Sequence, residues 1–156
     1  MLLVKTRIGS SRIHGIGVFA EERIKQGQVV WVLDDRFDTR IPVSQLSALP
    51  KLVSVFLRTY GYQEIHEGER TLVLCGDHAR HMNHSDHPNL VEAEVTFAAR
   101  DIERGEELTC DYFTFDLDAG RKLSRRQRFR IRNRTASPHL SAAASNGTLK
   151  RLRVSR

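Results

Sequence analysis

Between Leu74 and Asn89 the chain reads LCGDHARHMNHSDHPN, with a cysteine and then a histidine at every third position: Cys75, His78, His81, His84 and His87. Thiolates and imidazoles are the ligands zinc prefers, so a metal centre is the first chemistry to test. Structural zinc takes four ligands in a tetrahedron, usually drawn from separated pairs. Here all the candidates are crowded into one short run. A helix would align His78, His81 and His84 at i, i+3 spacing. The end of the run forbids that helix. Asn83, Ser85 and Asp86 have side chains that bond to nearby backbone, and Pro88 disfavours helical geometry at His87. The spacing argues against a metal, and none is expected. Taken alone, the run reads as a histidine-rich surface loop.

The elements around it are short. GVFA (Gly17 to Ala20) and QVVWVL (Gln28 to Leu33) read as strands rich in β-branched and aromatic residues. A helix is predicted from Pro50, with Leu52, Val53, Phe56 and Leu57 on one face and Gly61 ending it. TLVL (Thr71 to Leu74) is a buried strand. LVEAEVTFAAR reads as one strand whose Val91, Ala93, Val95 and Phe97 face inward while Glu92, Glu94 and Thr96 face water. EELTCDY (Glu106 to Tyr112) reads as another strand. FAEERIKQGQVV and FAARDIERGEEL echo each other, each with an Ile and a Gly three residues later. Two copies are too few for a solenoid, so they are read as two similar hairpin-like corners. The body is therefore mostly β with short helices.

Composition bounds the rest. At 156 residues with 40% hydrophobic content, the chain is long enough for one domain and one core. It is too polar for a membrane protein, and MLLVKTRIGS is too short an apolar run for a signal peptide or a spanning helix. The expected location is the cytoplasm, with the nucleus or export into a host left open. Two cysteines, Cys75 and Cys110, make no disulfide framework and are expected to be reduced. The net charge of +6 hides an asymmetry, because residues 121–156 hold twelve Lys or Arg and no Asp or Glu. An acidic body, residues 1–120, thus carries a basic extension expected to be partly helical or disordered. Such an extension seeks nucleic acid or an acidic partner.

The histidine run does not stand alone. Arg80-His81-Met82-Asn83-His84-Ser85-Asp86-His87-Pro88-Asn89 resembles the R-F-x-N-H-S-C-x-P-N signature of SET-domain protein lysine methyltransferases. Upstream, SRIHGIGVFA is similar to that family's G-x-G strand, with Gly15 and Gly17. Downstream, GEELTCDYF is similar to its closing G-E-E-L-T-x-D-Y. The three motifs follow the family's order and spacing. The resemblance implies a β-clip fold: small curved sheets around a pseudoknot in which the asparagine-histidine and tyrosine segments cross. It implies a SET domain over residues 1–120, with an insert over about 34–61 carrying the helix and walling the peptide groove. It implies S-adenosylmethionine as methyl donor and a lysine of a protein or peptide as acceptor; no membrane partner is expected of so polar a chain.

The resemblance also assigns roles. The backbone of His14, Gly15, Ile16 and Gly17 would hold the methionine end of the cofactor. Asn83 and the backbone of His84 would hold its amino group and adenine, and Arg80 would also contact the cofactor. Tyr112 would be the catalytic residue and would also touch the cofactor. Without the resemblance, the glycines read as a tight turn, Asn83 as an Asx turn and Tyr112 as a core tyrosine. Tyr60 or Tyr62 would supply a second channel tyrosine. Departures are plain: His81 replaces phenylalanine, Asp86 replaces cysteine, and no cysteine cluster follows Tyr112. The missing wall must come from FTFDLDAGRKL, the basic helix or a partner chain, with Phe113 or Phe115 as its aromatic. Cys110 stands where the family often has Phe or Tyr, which implies a roomier channel and more than one methylation. DDRFD, at the start of the insert, would suit a basic substrate or be a solvated charge run. Two other readings remain: a non-catalytic peptide-binding module with a nucleic-acid-binding tail, and self-methylation at Lys122 within GRKLSRR.

Overall fold

A computed structural model describes residues 1–123. The basic segment 124–156, on which the tail expectations mostly fall, lies outside the described residues. Among the described residues, ten short strands make three small sheets. The first contains β1 (Thr6–Ser10) and β2 (Ile16–Ala20), with β10 (Glu107–Cys110) and β7 (Asn83–His84), in the order β1-β2-β10-β7. The second is β3 (Val29–Trp31), β9 (Thr96–Ala98) and β8 (Leu90–Glu92), in the order β3-β9-β8. The third is β4 (Thr39–Pro42), β6 (Glu69–Leu74) and β5 (Tyr62–His66), in the order β4-β6-β5. Two helices accompany them, α1 (Lys51–Tyr60) and the single turn α2 (Ala119–Lys122).

The echoing corners pair with each other. Ile24 and Ile102 exchange backbone hydrogen bonds at 2.9 and 2.8 Å, and both are fully buried. They sit in the main core with Val18, Val30, Leu90 and Leu108. The glycine after each, Gly27 and Gly105, turns the chain with positive φ. A second, smaller core of Leu46, Leu57 and Leu72 lies in the insert.

Two sequence expectations give way to tertiary structure. LVEAEVTFAAR is not one strand. It folds back after Glu92, with the Ala93 amide donating to the Val95 carbonyl, to make the β8–β9 hairpin. Its buried residues are Leu90, Thr96 and Ala98, while Val91 and Ala93 are exposed and Phe97 is half-buried. Period-2 alternation cannot anticipate a reversal in mid-run. In α1 only Leu57 of the predicted apolar face is buried, and Leu52 is 83% exposed. The insert sheet is narrow and offers room for one stripe of the helix. Gly61 does end α1, in extended geometry, with its amide bonded to the Leu57 carbonyl at 2.8 Å. Burial continues as far as Leu123.

Candidate functional site

The site is built where two distant segments lie side by side. β7 runs parallel to β10, with Asn83 opposite Thr109 and Cys110 opposite His84. Asn89 fixes the crossing from the far side of the loop: its Oδ1 accepts from the Thr109 amide at 2.8 Å, and its Nδ2 donates to the Glu107 carbonyl at 2.8 Å. The Asn-His run and the Tyr112 run are thereby held as one unit.

Asn83 reaches from this crossing to the glycine loop. Its Nδ2 donates to the carbonyls of His14 (3.2 Å) and Ile16 (3.0 Å) and to Glu107 Oε1 (2.8 Å). Between the two carbonyls lies Gly15 with φ +51°, a conformation L side chains rarely adopt. Gly17 has a different reason. A Cβ there would stand 2.2 Å from Glu107 Oε1, so the missing side chain makes room for the carboxylate that Asn83 grips.

His84 acts through its side chain as well as its backbone. Its Nδ1 accepts from the Tyr112 amide at 3.2 Å, so the neutral ring carries its proton on Nε2, which faces Asp86 at 3.5 Å. The ring also packs against Tyr112 and Phe113, with centroids 5.5 and 5.7 Å apart. Tyr112 is oriented at both ends, because its hydroxyl donates to the Met82 carbonyl at 2.5 Å. Burial, reinforced by Cys110 and Asp116, pushes the phenol's pKa up, so it stays protonated.

Two cavities meet at this tyrosine. The larger, about 590 Å³, is lined by His14, Gly15, Ile16, Arg80, His81, Asn83, His84 and Tyr112, together with Arg58, Arg121 and Leu123. The smaller, about 210 Å³, is lined by Trp31, Tyr62, Cys75, Cys110, Phe115 and Asp116, with Glu64, Glu92 and Glu94. Thr59, Tyr60, Arg80, Met82, Tyr112 and Lys122 belong to both. Phe115 stands edge-on to Tyr62 and Tyr112, with centroids 5.3 and 5.9 Å away.

Most of the predicted site residues are brought together. Two are not. Gly17 lies behind the larger cavity and packs on Glu107, and Phe113 is 44% exposed against His84 and lines neither cavity. Tyr60 belongs to both cavities and Tyr62 to the smaller one alone. The acidic run DDRFD serves the insert instead of a groove: Asp34 pairs with Arg36, Asp35 with Arg40, and buried Asp38 accepts from the Gly76 amide at 2.8 Å. Of the carboxylates that line the smaller cavity, Glu92 and Glu94 come from the unforeseen hairpin, Glu64 from β5 and Asp116 from the segment after Tyr112.

His81 was given no role by its spacing, yet it lines the larger cavity. Its Nε2 accepts from Arg80, its ring is edge-on to Tyr60 at 5.2 Å, and its buried Nδ1 has no hydrogen-bond partner. Burial, then the Arg80 charge, lowers its pKa. No local signal could have placed it there, because the family pattern has phenylalanine at this point. Among the described residues, no three His, Cys, Asp or Glu side chains gather to hold a metal ion, and no helix is long and apolar enough to cross a membrane.

Beyond Tyr112, FTFDLDAGRKL borders both cavities: Phe115 and Asp116 line the smaller, Arg121 and Leu123 the larger, and Lys122 both.

Comparison with known proteins agrees with this geometry. Among solved structures, the fold is similar to a humanized mutant of the Chaetomium thermophilum Polycomb Repressive Complex 2 bound to an inhibitor, with TM-score 0.55 and 22% identity. An apo structure of that complex with two substitutions in Ezh2 gives TM-score 0.58 and 22% identity. Each match covers 76% of this chain and 16% of the other, so the protein spans about a sixth of the length of those chains. No curated protein sequence matches. Residues 15–113 match the SET domain model, over more than half of the chain and across all three motifs and the crossing they form, and the protein belongs to the SET domain family.

Proposed function

We propose that the protein is an S-adenosylmethionine-dependent methyltransferase acting on a lysine side chain of another protein. The observation that carries this reading is the meeting of a large polar cleft and a small aromatic cavity at one oriented tyrosine. The cleft's volume suits a small-molecule site, typically about 300–1,000 Å³. Its residues suit the cofactor: Arg58 and Arg80 offer cationic donors for a carboxylate, Gly15 admits close backbone approach, and His81 Nδ1 is a buried ring nitrogen in need of a partner. When bound, the cofactor supplies an electrophilic methyl group on a positively charged sulfur.

The chain's own residues do the rest. Tyr112, protonated and tied to the Met82 carbonyl, presents a fixed oxygen at the junction without competing as a nucleophile. Trp31, Tyr62 and Phe115 wall a narrow passage for an alkyl chain, while Glu64, Glu92 and Glu94 draw in a cation. At the inner end of the passage, where aromatic walls exclude water and the cofactor's positive charge would lie close, the ammonium form is disfavoured and its proton leaves to solvent. Cys110, buried against Met82 with sulfurs 3.7 Å apart, is smaller than an aromatic and leaves room for more than one methyl group.

Incubation with labelled cofactor and a panel of lysine-containing proteins tests the reading. Tyr112→Phe should lower transfer by about 10²-fold, the scale of removing one preorganised transition-state contact. Equal transfer by both proteins would remove Tyr112 from this role. Purely monomethyl product would refute the roomy channel. Failure of wild-type protein to bind S-adenosylhomocysteine in calorimetry would leave a peptide-binding module.

A further inference from the structure

The segment after Tyr112 contains an ion pair that the sequence did not suggest. Asp116 has a side chain only 1% exposed. Its Oδ1 accepts from the amides of Gln63 and Asp118, both at 2.9 Å, and its Oδ2 takes Lys122 Nζ at 2.6 Å. Lys122, whose side chain is 13% exposed, also donates to the Gly61 carbonyl. Next to it, Arg121 donates to the Arg58 carbonyl at 3.0 Å. Both carbonyls lie at the C-terminal end of α1, where helix carbonyls lack partners and the dipole is negative. Two cations from one turn therefore dock on the end of α1.

α2 is a single turn and cannot hold its place by helix propensity. Its position depends on this docking and on buried Ala119 and Leu123. Neither hydrophobic core includes a residue of the 116–123 segment, so this segment can loosen without emptying either core. The segment borders both cavities: Asp116 lines the smaller, Leu123 the larger and Lys122 both.

We propose that Lys122 is a positioning residue, whose seat between Asp116 and the Gly61 carbonyl fastens residues 116–123 across the junction and so closes the cofactor cleft and the acceptor passage together. The role rests on the methyltransferase reading above. It replaces the expectation that Lys122 is a methyl acceptor. A nitrogen that donates to two oxygens turns its protons, not a lone pair, toward its surroundings.

The test uses the full chain and the variants Lys122→Met and Lys122→Arg. Methionine keeps the length of the side chain and removes its charge. Hydrogen exchange without ligand should quicken at least tenfold at the amides of residues 116–122 in Lys122→Met, while the Ile24 and Ile102 amides stay protected. The Kd for S-adenosylhomocysteine and the KM for an acceptor protein should each rise about tenfold, equivalent to ~1.4 kcal/mol. The kcat at saturation should change less than threefold, because Tyr112 keeps its partners. Lys122→Arg should restore both affinities to within about threefold, since a cation again reaches the seat. Unchanged exchange at residues 116–122 in Lys122→Met overturns the latch whether or not the protein is an enzyme. Faster exchange with unchanged Kd and KM overturns the positioning role and leaves the enzyme reading standing. A wild-type chain that binds no cofactor overturns both. Methylation of Lys122 by cofactor alone, seen by peptide mass mapping, overturns the wall assignment.

Discussion

Gly17→Ala is the most informative single change, because one methyl group strikes the network behind the larger cavity. The new Cβ would lie 2.2 Å from Glu107 Oε1 and 3.2 Å from Ser11 Cβ. Glu107 ends a flexible side chain, so it will swing away without forcing the backbone. The cost is then what it leaves. Its Oε1 accepts from Asn83 at 2.8 Å and its Oε2 accepts from Ser11 Oγ at 2.9 Å. Asn83 keeps the His14 and Ile16 carbonyls as acceptors, which softens the loss. Two bonds to a half-buried carboxylate, one of them partly replaced, are worth about 2 kcal/mol together. For a folded body of this size that lowers Tm by roughly 5–10 °C. Differential scanning fluorimetry reads it, and calorimetry with S-adenosylhomocysteine should show weaker binding as the loop through Gly15 loses its support. The control is a double-mutant cycle. In a Glu107→Ala background the carboxylate is gone, so adding Gly17→Ala should cost less than about 0.5 kcal/mol. Full additivity would refute the reasoning, as would a Gly17→Ala protein that melts and binds like wild type.

Two further outcomes follow from buried groups. Asn89→Ala leaves the Thr109 amide and the Glu107 carbonyl without their side-chain partner inside the crossing, and should cost about 2–4 kcal/mol in urea unfolding. A loss under about 1 kcal/mol would mean that the loop re-pairs them, against the rigidity argued for the crossing. Burial pushes Cys75 up to about 12 and Cys110 well above its usual range, so neither thiol of the folded protein should react promptly with a disulfide reagent at mildly alkaline pH. Both should react at once in denaturant, and fast native labelling of either one would contradict its placement.

Legibility differed from element to element. The runs around Val18, Leu72 and Leu108 announced themselves because buried β-branched and aliphatic residues cluster there. The hairpin at Ala93 did not, since a reversal inside a continuous alternating run has no marker residue. The exposed face of α1 was equally hidden: periodicity reports that a helix has an apolar face, not how wide a partner it will meet. The crowding at Gly17 was hidden as well, because the atom that leaves no room for a Cβ, Glu107 Oε1, lies ninety residues away in sequence.

By itself the sequence determined the mostly β character, the family and the crossing of the Asn83 and Tyr112 segments, and most of the residues it singled out line the two cavities. These are carried by short motifs whose residue types are demanded by local chemistry: a glycine at positive φ, an amide that can fan between carbonyls, a phenol. Only the tertiary structure decided which side chains face which cavity, that His84 contacts Tyr112 through its ring, and that Asp116 and Lys122 pair beside both cavities. Those facts depend on contacts between segments far apart in the chain, and such contacts are settled when the whole body packs.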